Sequence, residues 1–203
     1  MHQELKKHFQ VFKNFDCYFW IGGMCIYDLL NGITPNDIDV FFRREKDANK
    51  VVEFLTKKKR FSIEIKRSAG ALLKAPDGTL YDVLCVTRSP EHLFHNFFDY
   101  SVACAAVDTN NFFWHHEDYF AHCEEKKLYY IEKGPRNEGG KFKRLSKMLS
   151  KGFSIDSENL QKWLKKVQED KKSLKINKFN LKSIYFQKLE NLEFDIKKIK
   201  LKD

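Results

Sequence analysis

Helical and strand-like spacings of apolar residues alternate along the first part of the chain. Apolar residues three and four positions apart predict helices, whereas short apolar runs predict buried strands. By these rules the chain begins with a helix over Glu4–Phe12, a strand over Cys17–Ile21, a helix from Gly23 to about Asn31, a strand over Ile38–Phe42 and a helix over Asp47–Lys58. This order predicts an α+β fold.

The middle of the chain carries two hairpin patterns. Proline, glycine, asparagine and aspartate between two apolar runs favour a tight turn. Such residues occur at Pro76-Asp77-Gly78 and at Asp108-Thr109-Asn110-Asn111. The strands predicted in this region are Phe61–Lys66, the pair Gly70–Lys74 and Thr79–Val86, and the pair Ser101–Val107 and Phe112–Trp114.

Beyond residue 139 only helical spacing is convincing. Two apolar faces recur there, and each predicts a helix that packs on one side. Their residues are Leu145, Met148 and Leu149 in the first helix and Leu160, Trp163, Leu164 and Val167 in the second. We therefore predict a domain over residues 1–138 and a basic helical neck and tail over residues 139–203.

The charge of the chain divides near the same place. Residues 1–140 hold 19 Lys and Arg against 20 Asp and Glu, whereas residues 141–203 hold 18 against 8. The formal net charge of +9 therefore belongs to the end of the chain. The 42% of hydrophobic residues excludes a disordered or fibrous protein.

Basic residues recur along the first of the two late helices. A concentrated positive field attracts polyanions without reading their sequence. Lys143, Arg144, Lys147 and Lys151 are therefore candidate RNA ligands. A solvated lysine-rich face is the alternative interpretation of the same pattern.

The cysteines and the apolar runs bear on the compartment. The five cysteines are an odd number without a CxxC pair, which favours reduced cysteines that pack in the core. No run approaches the length of a membrane span, and the N-terminus lacks the apolar segment of a signal peptide. We expect a cytoplasmic protein with no membrane partner.

One stretch carries the clearest chemistry. Gly22 and Gly23 follow an apolar strand and open a helix, and backbone amides at such a point can hold a phosphate that glycine lets approach closely. Asp37 and Asp39 are two residues apart in a predicted strand, so they project from one face. Paired carboxylates hold Mg²⁺ or Mn²⁺, and Asp82 on a neighbouring strand is the candidate third ligand.

A second set of potential ligands lies further along the chain. His115, His116, His122 and Cys123 invite a zinc site, but their spacing lacks a paired clamp. We favour exposed loop and helix residues that bind no metal.

Several segments together resemble the nucleotidyltransferases of the polymerase beta superfamily. In detail they are similar to the head and neck of tRNA nucleotidyltransferases (CCA-adding enzymes) and bacterial poly(A) polymerases. The segments are Gly22-Gly23 with Asp28, Asn36-Asp37-Ile38-Asp39-Val40, Tyr81-Asp82-Val83, Phe97-Phe98-Asp99-Tyr100-Ser101 and Phe142–Phe153. Three departures stand out: Tyr27 and Phe97-Phe98 replace arginines of the family pattern, and no Glu-Asp-x-x-Arg segment for choosing the base is present.

The resemblance implies a nucleotidyltransferase head, a mixed twisted sheet with flanking helices, followed by a short helical neck and tail. It implies two divalent cations, Mg²⁺ or alternatively Mn²⁺, and the catalytic residues Asp37, Asp39 and Asp82 would hold them. The nucleotide-binding residues that it implies are Gly22, Gly23, Asp28, Asp99 and Arg144.

Three functions follow as hypotheses. The first is template-independent transfer of NMP from an NTP to an RNA acceptor, with a tRNA 3′ end as the expected acceptor. The second is a toxin-type or effector-type enzyme that modifies tRNA or a protein hydroxyl. The third is a nucleotide-binding or RNA-binding module with weak catalysis. The identity of a protein partner stays unknown from the sequence.

Overall fold

The computed structural model describes residues 3–96, 98–131 and 138–173; residues 174–203 of the predicted tail lie outside the described residues. The helices are α1 (Gln3–Phe12), α2 (Met24–Leu30), α3 (Glu45–Lys59), α4 (Pro90–Asn96), α5 (Tyr119–Glu124), α6 (Glu138–Ser150) and α7 (Ser157–Ser173). The strands are β1 (Phe19–Gly22), β2 (Ile38–Phe42), β3 (Ser62–Lys66), β4 (Gly70–Lys74), β5 (Leu80–Cys85), β6 (Ala105–Asp108) and β7 (Phe113–His115).

The strands form one mixed sheet in the order β3-β4-β5-β2-β1-β6-β7. The pair β2 and β5 is parallel, and the other five neighbouring pairs are antiparallel. The chain leaves β2 through α3 and returns through the β3–β4–β5 meander, which places β5 beside β2. The α+β fold with a mixed sheet and flanking helices is therefore confirmed.

The two faces of β2 meet different parts of the protein. Ile38, Val40 and Phe42 lie in the main core, which α1 and α3 cover. Phe41 lies in a separate cluster with Trp20 and the residues of α4. Since side chains alternate along a strand, Asp39 lies on the same face as Phe41 and opposite the main core.

Helices α6 and α7 share a core with the first domain. The apolar faces predicted for these helices are buried in a cluster that also contains Met24 and Tyr27 of α2 and Tyr100. Trp163 of α7 is fully buried in it, and the ring of Phe142 packs edge-on against Trp163 at a centroid distance of 4.5 Å. The neck is therefore seated on the head, and the domain boundary after residue 138 stays a prediction.

Four elements differ from the sequence prediction. The predicted strand Ser101–Val107 begins with a 3₁₀ turn, because the amide of Ala103 donates to Tyr100 O (3.0 Å) and that of Cys104 to Ser101 O (2.9 Å). The sheet pairing therefore starts at Ala105. The strand predicted from Cys17 begins later, at Phe19. Neither of the short helices α4 and α5 was predicted.

The five cysteines are free, and Cys25 and Cys104 are buried. This agrees with the prediction of packing cysteines. Within the described ranges, no helix combines the length and the apolar character that crossing a membrane requires.

Candidate active site

Sheet register brings two of the predicted metal ligands side by side. Asp39 of β2 lies directly opposite Asp82 of β5 in the parallel pair. Neighbouring residues in such a pair point to the same face of the sheet. Asp37 directly precedes β2 and interacts electrostatically with both of the other carboxylates. The three predicted carboxylates therefore meet at one end of the sheet.

The environment of Asp39 opposes its ionisation. The pKa of Asp39 is raised to about 8, first by burial and then by the neighbouring charges of Asp37 and Asp82. Burial also raises the pKa of Asp82, against the effect of Arg67. Grouped carboxylates of this kind need a nearby positive charge in order to ionise together.

Two basic side chains supply positive charge in this structure. Arg67, from the connection between β3 and β4, holds Asp82 with both guanidinium nitrogens, and its Nη2 lies 2.9 Å from Asp82 Oδ2. The ammonium of Lys147 in α6 lies 3.4 Å from Asp37 Oδ1. Both cations also lower the pKa of Asp39. Arg67 was not predicted from the sequence, because a lone arginine after a strand gives no signal until the strand order is known.

The donor set fits a hard divalent cation. Carboxylate oxygens from two adjacent strands are the ligands that Mg²⁺ and Mn²⁺ prefer. Among the described residues, His116, Glu117 and Asp118 are the one trio whose ligand atoms all lie within 4.8 Å of one another. The oxygens of Asp37, Asp39 and Asp82 are thus less tightly gathered, and two of these side chains are held by Arg67 and Lys147.

The two glycines leave no room for side chains beside Asp39. A Cβ on Gly22 would lie 3.1 Å from both Ala105 O and Ala106 Cβ. Gly23 has φ of +89°, and a Cβ there would lie 3.0 Å from Asp39 Oδ2. Residues with a side chain rarely adopt this backbone conformation. Glycine is therefore required at Gly23 for its backbone and for the position of the carboxylate.

The predicted phosphate cradle needs one correction. The amide of Gly23 donates to Ala105 O at 2.8 Å, so this amide is not available to a phosphate in this structure. In the first turn of α2, the amide of Ile26 donates to Gly23 O at 3.1 Å. A phosphate contact at this point would therefore use the amides of Met24 and Cys25, which begin the helix.

An aromatic ring lines the same space. A Cβ on Gly23 would lie 3.3 Å from Cε1 of Phe98, so the ring borders the glycine and Asp39. Phe98 is partly buried and packs near Phe94 of α4. The other half of the predicted Phe97-Phe98 pair, Phe97, lies outside the described residues. This wall of the site is apolar where the resemblance would place an arginine.

Helix α6 turns three cations towards carboxylates of the first domain. Their spacing of three and four residues places them on one face. The pairs are Arg144 with the buried Asp99, Lys147 with Asp37, and Lys151 with both oxygens of the buried Asp28. These contacts bring the predicted nucleotide-binding residues Asp28, Asp99 and Arg144 to the same side of the molecule.

These ion pairs bear on the residues predicted to bind RNA. Arg144, Lys147 and Lys151 face the first domain, whereas Lys143 is exposed. Roles of these four residues in binding RNA stay predictions, as do the nucleotide-binding roles of Asp28, Asp99 and Arg144.

The family of the chain is shown by its sequence. The family model described as "Gabija anti-defense 2 family protein" matches residues 2–126, which is more than half of the chain. The chain belongs to the Gabija anti-defense 2 family. The matched region includes β1, β2 and β5, so the three carboxylates lie within the part that defines membership of this family.

Solved structures of tRNA-processing enzymes share the fold of this Gabija anti-defense 2 family member. It is similar to the Thermotoga maritima CCA-adding enzyme complexed with tRNA (TM-score 0.61, 12% identity, 95% of this chain and 52% of that one). It is also similar to a CCA-adding enzyme with CTP (0.62, 13%, 95% and 51%) and to a tRNA nucleotidyltransferase with a primer tRNA and an ATP analog (0.59, 14%, 80% and 50%).

The chain spans about half the length of these solved structures. No curated protein matches it in sequence. The comparisons therefore show a nucleotidyltransferase-like fold in a member of the Gabija anti-defense 2 family, with a head domain like that of CCA-adding enzymes.

The histidines considered for zinc, His115, His116 and His122, make separate local contacts in this family member. His122 Nδ1 lies 2.7 Å from Ser101 Oγ, and its ring stacks on Tyr129. His115 Nδ1 donates to His116 O at 2.9 Å. His116 groups with Glu117 and Asp118 instead of with His122 and Cys123. The four residues considered for zinc in the sequence thus serve different local contacts.

Proposed function

We propose that the chain is a metal-dependent, template-independent nucleotidyltransferase that moves NMP from an NTP to an acceptor hydroxyl. The observation that carries this proposal is the placement of Asp39 opposite Asp82 on parallel strands, with Asp37 and Gly23 beside them. Burial raises the pKa of Asp39, and perturbation of this type is characteristic of functional carboxylates.

Each residue has a task in the reaction. Asp37, Asp39 and Asp82 would hold Mg²⁺ or Mn²⁺, which when bound lowers the pKa of the acceptor hydroxyl and neutralises charge on the triphosphate. The acceptor oxygen forms a bond to the α-phosphorus, and the bond from that phosphorus to the bridging oxygen breaks and releases pyrophosphate. Gly23 places its backbone close to the Asp39 carboxylate without a side chain between them, and the ring of Phe98 borders the same point.

RNA is the first acceptor to test, with a tRNA 3′ end as the expected site. Two of the similar structures contain tRNA, and others contain CTP or ATP. The end of the chain beyond residue 140 carries the excess of Lys and Arg, which suits a polyanionic acceptor.

An effector activity is the second candidate, and the family match favours it. The family is named for anti-defense against Gabija. In this version the same site transfers NMP to a tRNA or a protein hydroxyl of the opposed system and thereby inactivates it. Both candidates use the same three carboxylates and differ in the acceptor.

A labelling experiment tests the function and separates the acceptors. The protein is incubated with each α-labelled NTP and with Mg²⁺ or Mn²⁺, in the presence of total tRNA or of cell extract with the defense system. Labelled tRNA supports both candidates, and labelled protein supports the second. Binding of NTP without transfer indicates the binding module, and overturns the enzyme proposal.

The matched control uses two aspartates. Asp37→Ala removes a proposed ligand, whereas Asp16→Ala changes an exposed aspartate that precedes β1. We expect Asp37→Ala to abolish labelling and Asp16→Ala to retain it. Equal labelling by the two variants would show that the transfer does not depend on the proposed metal site.

A further inference from the structure

Two metal-site carboxylates are occupied by cations of the chain itself. Arg67 grips Asp82, whose side chain is 15% exposed, and Lys147 contacts Asp37, whose side chain is 40% exposed. The two basic side chains are 33% and 30% exposed, so solvent and ligands can reach both of them. They come from opposite parts of the chain, the β3–β4 connection and α6.

These contacts compete with a divalent cation for the same carboxylates. Lys147 contacts Asp37 Oδ1, and Arg67 donates to both oxygens of Asp82. Like charges at contact distance also repel each other strongly. A metal ion that enters must therefore displace at least part of these contacts.

When the ion arrives with a nucleotide, the phosphates offer new partners to the displaced side chains of Arg67 and Lys147. A triphosphate carries several negative charges, and its oxygens accept hydrogen bonds from guanidinium and ammonium groups. Exchange of partners would keep every charge paired: the carboxylates with the metal, and the basic side chains with the phosphates.

We infer that Arg67 and Lys147 are positioning residues that change partners, from Asp82 and Asp37 in the metal-free protein to the triphosphate of a bound metal–NTP complex. The inference rests on the proposed function and adds two residues to its substrate site. It predicts that removing either basic side chain strengthens binding of the metal alone and weakens binding of the metal–NTP complex. A merely structural role for the two ion pairs does not predict these opposite changes.

The test measures both affinities in the full chain. Binding of Mn²⁺ alone is measured by electron paramagnetic resonance, and binding of a non-hydrolysable NTP analogue with Mn²⁺ is measured by calorimetry. Lys147→Met and Arg67→Met should each tighten binding of Mn²⁺ alone by about fivefold, because a competitor of moderate strength is lost. Each should weaken binding of the analogue with Mn²⁺ by a similar factor.

The controls make the same change of charge and leave the two ion pairs intact. Lys66→Met lies next to Arg67, and Lys165→Met lies in α7, and both lysines are exposed. We expect wild-type values for both affinities in these controls. Circular dichroism verifies that each variant is folded, and either of the two test variants is sufficient for the decision.

The possible outcomes separate the inference from the function on which it rests. Unchanged Mn²⁺ affinity, or a change of the same sign in both measurements, overturns the exchange while leaving the metal site standing. If the wild-type protein binds no Mn²⁺ with or without the analogue, the proposed function itself fails.

Discussion

Two aspartates of the same sheet contrast in their partners: Asp108, which is buried, and Asp39, which is half-buried. Asp108, at the β6–β7 turn, accepts hydrogen bonds from Tyr18 (2.9 Å), Trp114 (3.2 Å) and the amides of Asn110 and Phe112 (both 2.9 Å). Asp39 lies among carboxylates, and burial raises its pKa to about 8.

The contrast separates a structural carboxylate from one that we propose binds a metal. A buried carboxylate surrounded by neutral donors is satisfied within the protein and fixes the turn that supplies them. A desolvated carboxylate next to two others costs free energy in the folded protein when it ionises, and nearby cations reduce that cost. The arrangement around Asp39 is therefore one that a structural role alone does not explain.

The largest expected effect is on transfer. Asp39→Asn should lower the rate of nucleotidyl transfer by at least about 10³-fold, because a proposed metal ligand loses its charge. The matched variant Asp108→Asn should keep the specific activity of the folded protein. Rates are measured with labelled NTP after the folded fraction is determined. Equal loss in both variants would remove the distinction between the two aspartates.

The next effect is on stability. Asp108→Asn turns an amide group towards Tyr18 and Trp114, and we expect it to lower the free energy of unfolding by about 2 kcal/mol. Asp39→Asn should not destabilise the metal-free protein, since it removes a carboxylate from an acidic cluster. Denaturant titration in the presence of a chelator measures both. Marked destabilisation by Asp39→Asn and none by Asp108→Asn would indicate that Asp39, and not Asp108, is the structural carboxylate.

The pH dependence follows from the pKa of Asp39. It is raised from 3.8 to about 8 in the folded protein, so the folded protein holds a proton that the unfolded chain releases. The contribution of Asp39 to stability is therefore fully present below the unfolded-state pKa of 3.8. It is lost as the pH rises through the folded-state pKa of about 8. Relative to Asp39→Asn, the metal-free wild type should lose at most about 1.4 kcal/mol per pH unit within this range.

Denaturant titrations at several pH values check this expectation. The difference in unfolding free energy between wild type and Asp39→Asn should grow from mildly acidic to mildly alkaline pH. A difference that stays constant over this range would show that Asp39 ionises in the folded protein as it does in the unfolded chain.

The smallest expected effect concerns the glycines. Gly23→Ala and Gly32→Ala both place a side chain at positive φ, but only the Cβ at position 23 meets a neighbour, Asp39 Oδ2 at 3.0 Å. Both variants should lose about 1 kcal/mol or more of stability. Gly23→Ala alone should weaken Mn²⁺ binding, by a factor of a few. Equal Mn²⁺ affinities in the two variants would contradict the role of Gly23 beside the carboxylate.

The sequence was sufficient for features that depend on local pattern. Strand β2 occupies the predicted residues Ile38–Phe42, and the hairpin of β4 and β5 forms around the predicted turn. The pairing of Asp39 with Asp82 on adjacent strands also agrees with the prediction. Strand β2 and the hairpin follow from alternation and turn chemistry within short segments, whereas Asp82 was predicted as the third ligand that a paired-carboxylate site requires.

Features that depend on distant contacts were not predicted. The approach of Arg67 to Asp82 needs the order β3-β4-β5-β2, which no local pattern gives. The same holds for Lys147, whose partner Asp37 is 110 residues away. The 3₁₀ turn over Ser101–Ala103 was missed because its apolar residues read equally well as a strand.

Metal binding by three proteins tests the central claim most directly. Mn²⁺ is titrated into wild type, Asp39→Asn and Asp108→Asn, and the free ion is followed by electron paramagnetic resonance. We predict saturable binding to wild type and to folded Asp108→Asn, and loss of that binding in Asp39→Asn. Equal binding by all three proteins would contradict a metal site at Asp37, Asp39 and Asp82.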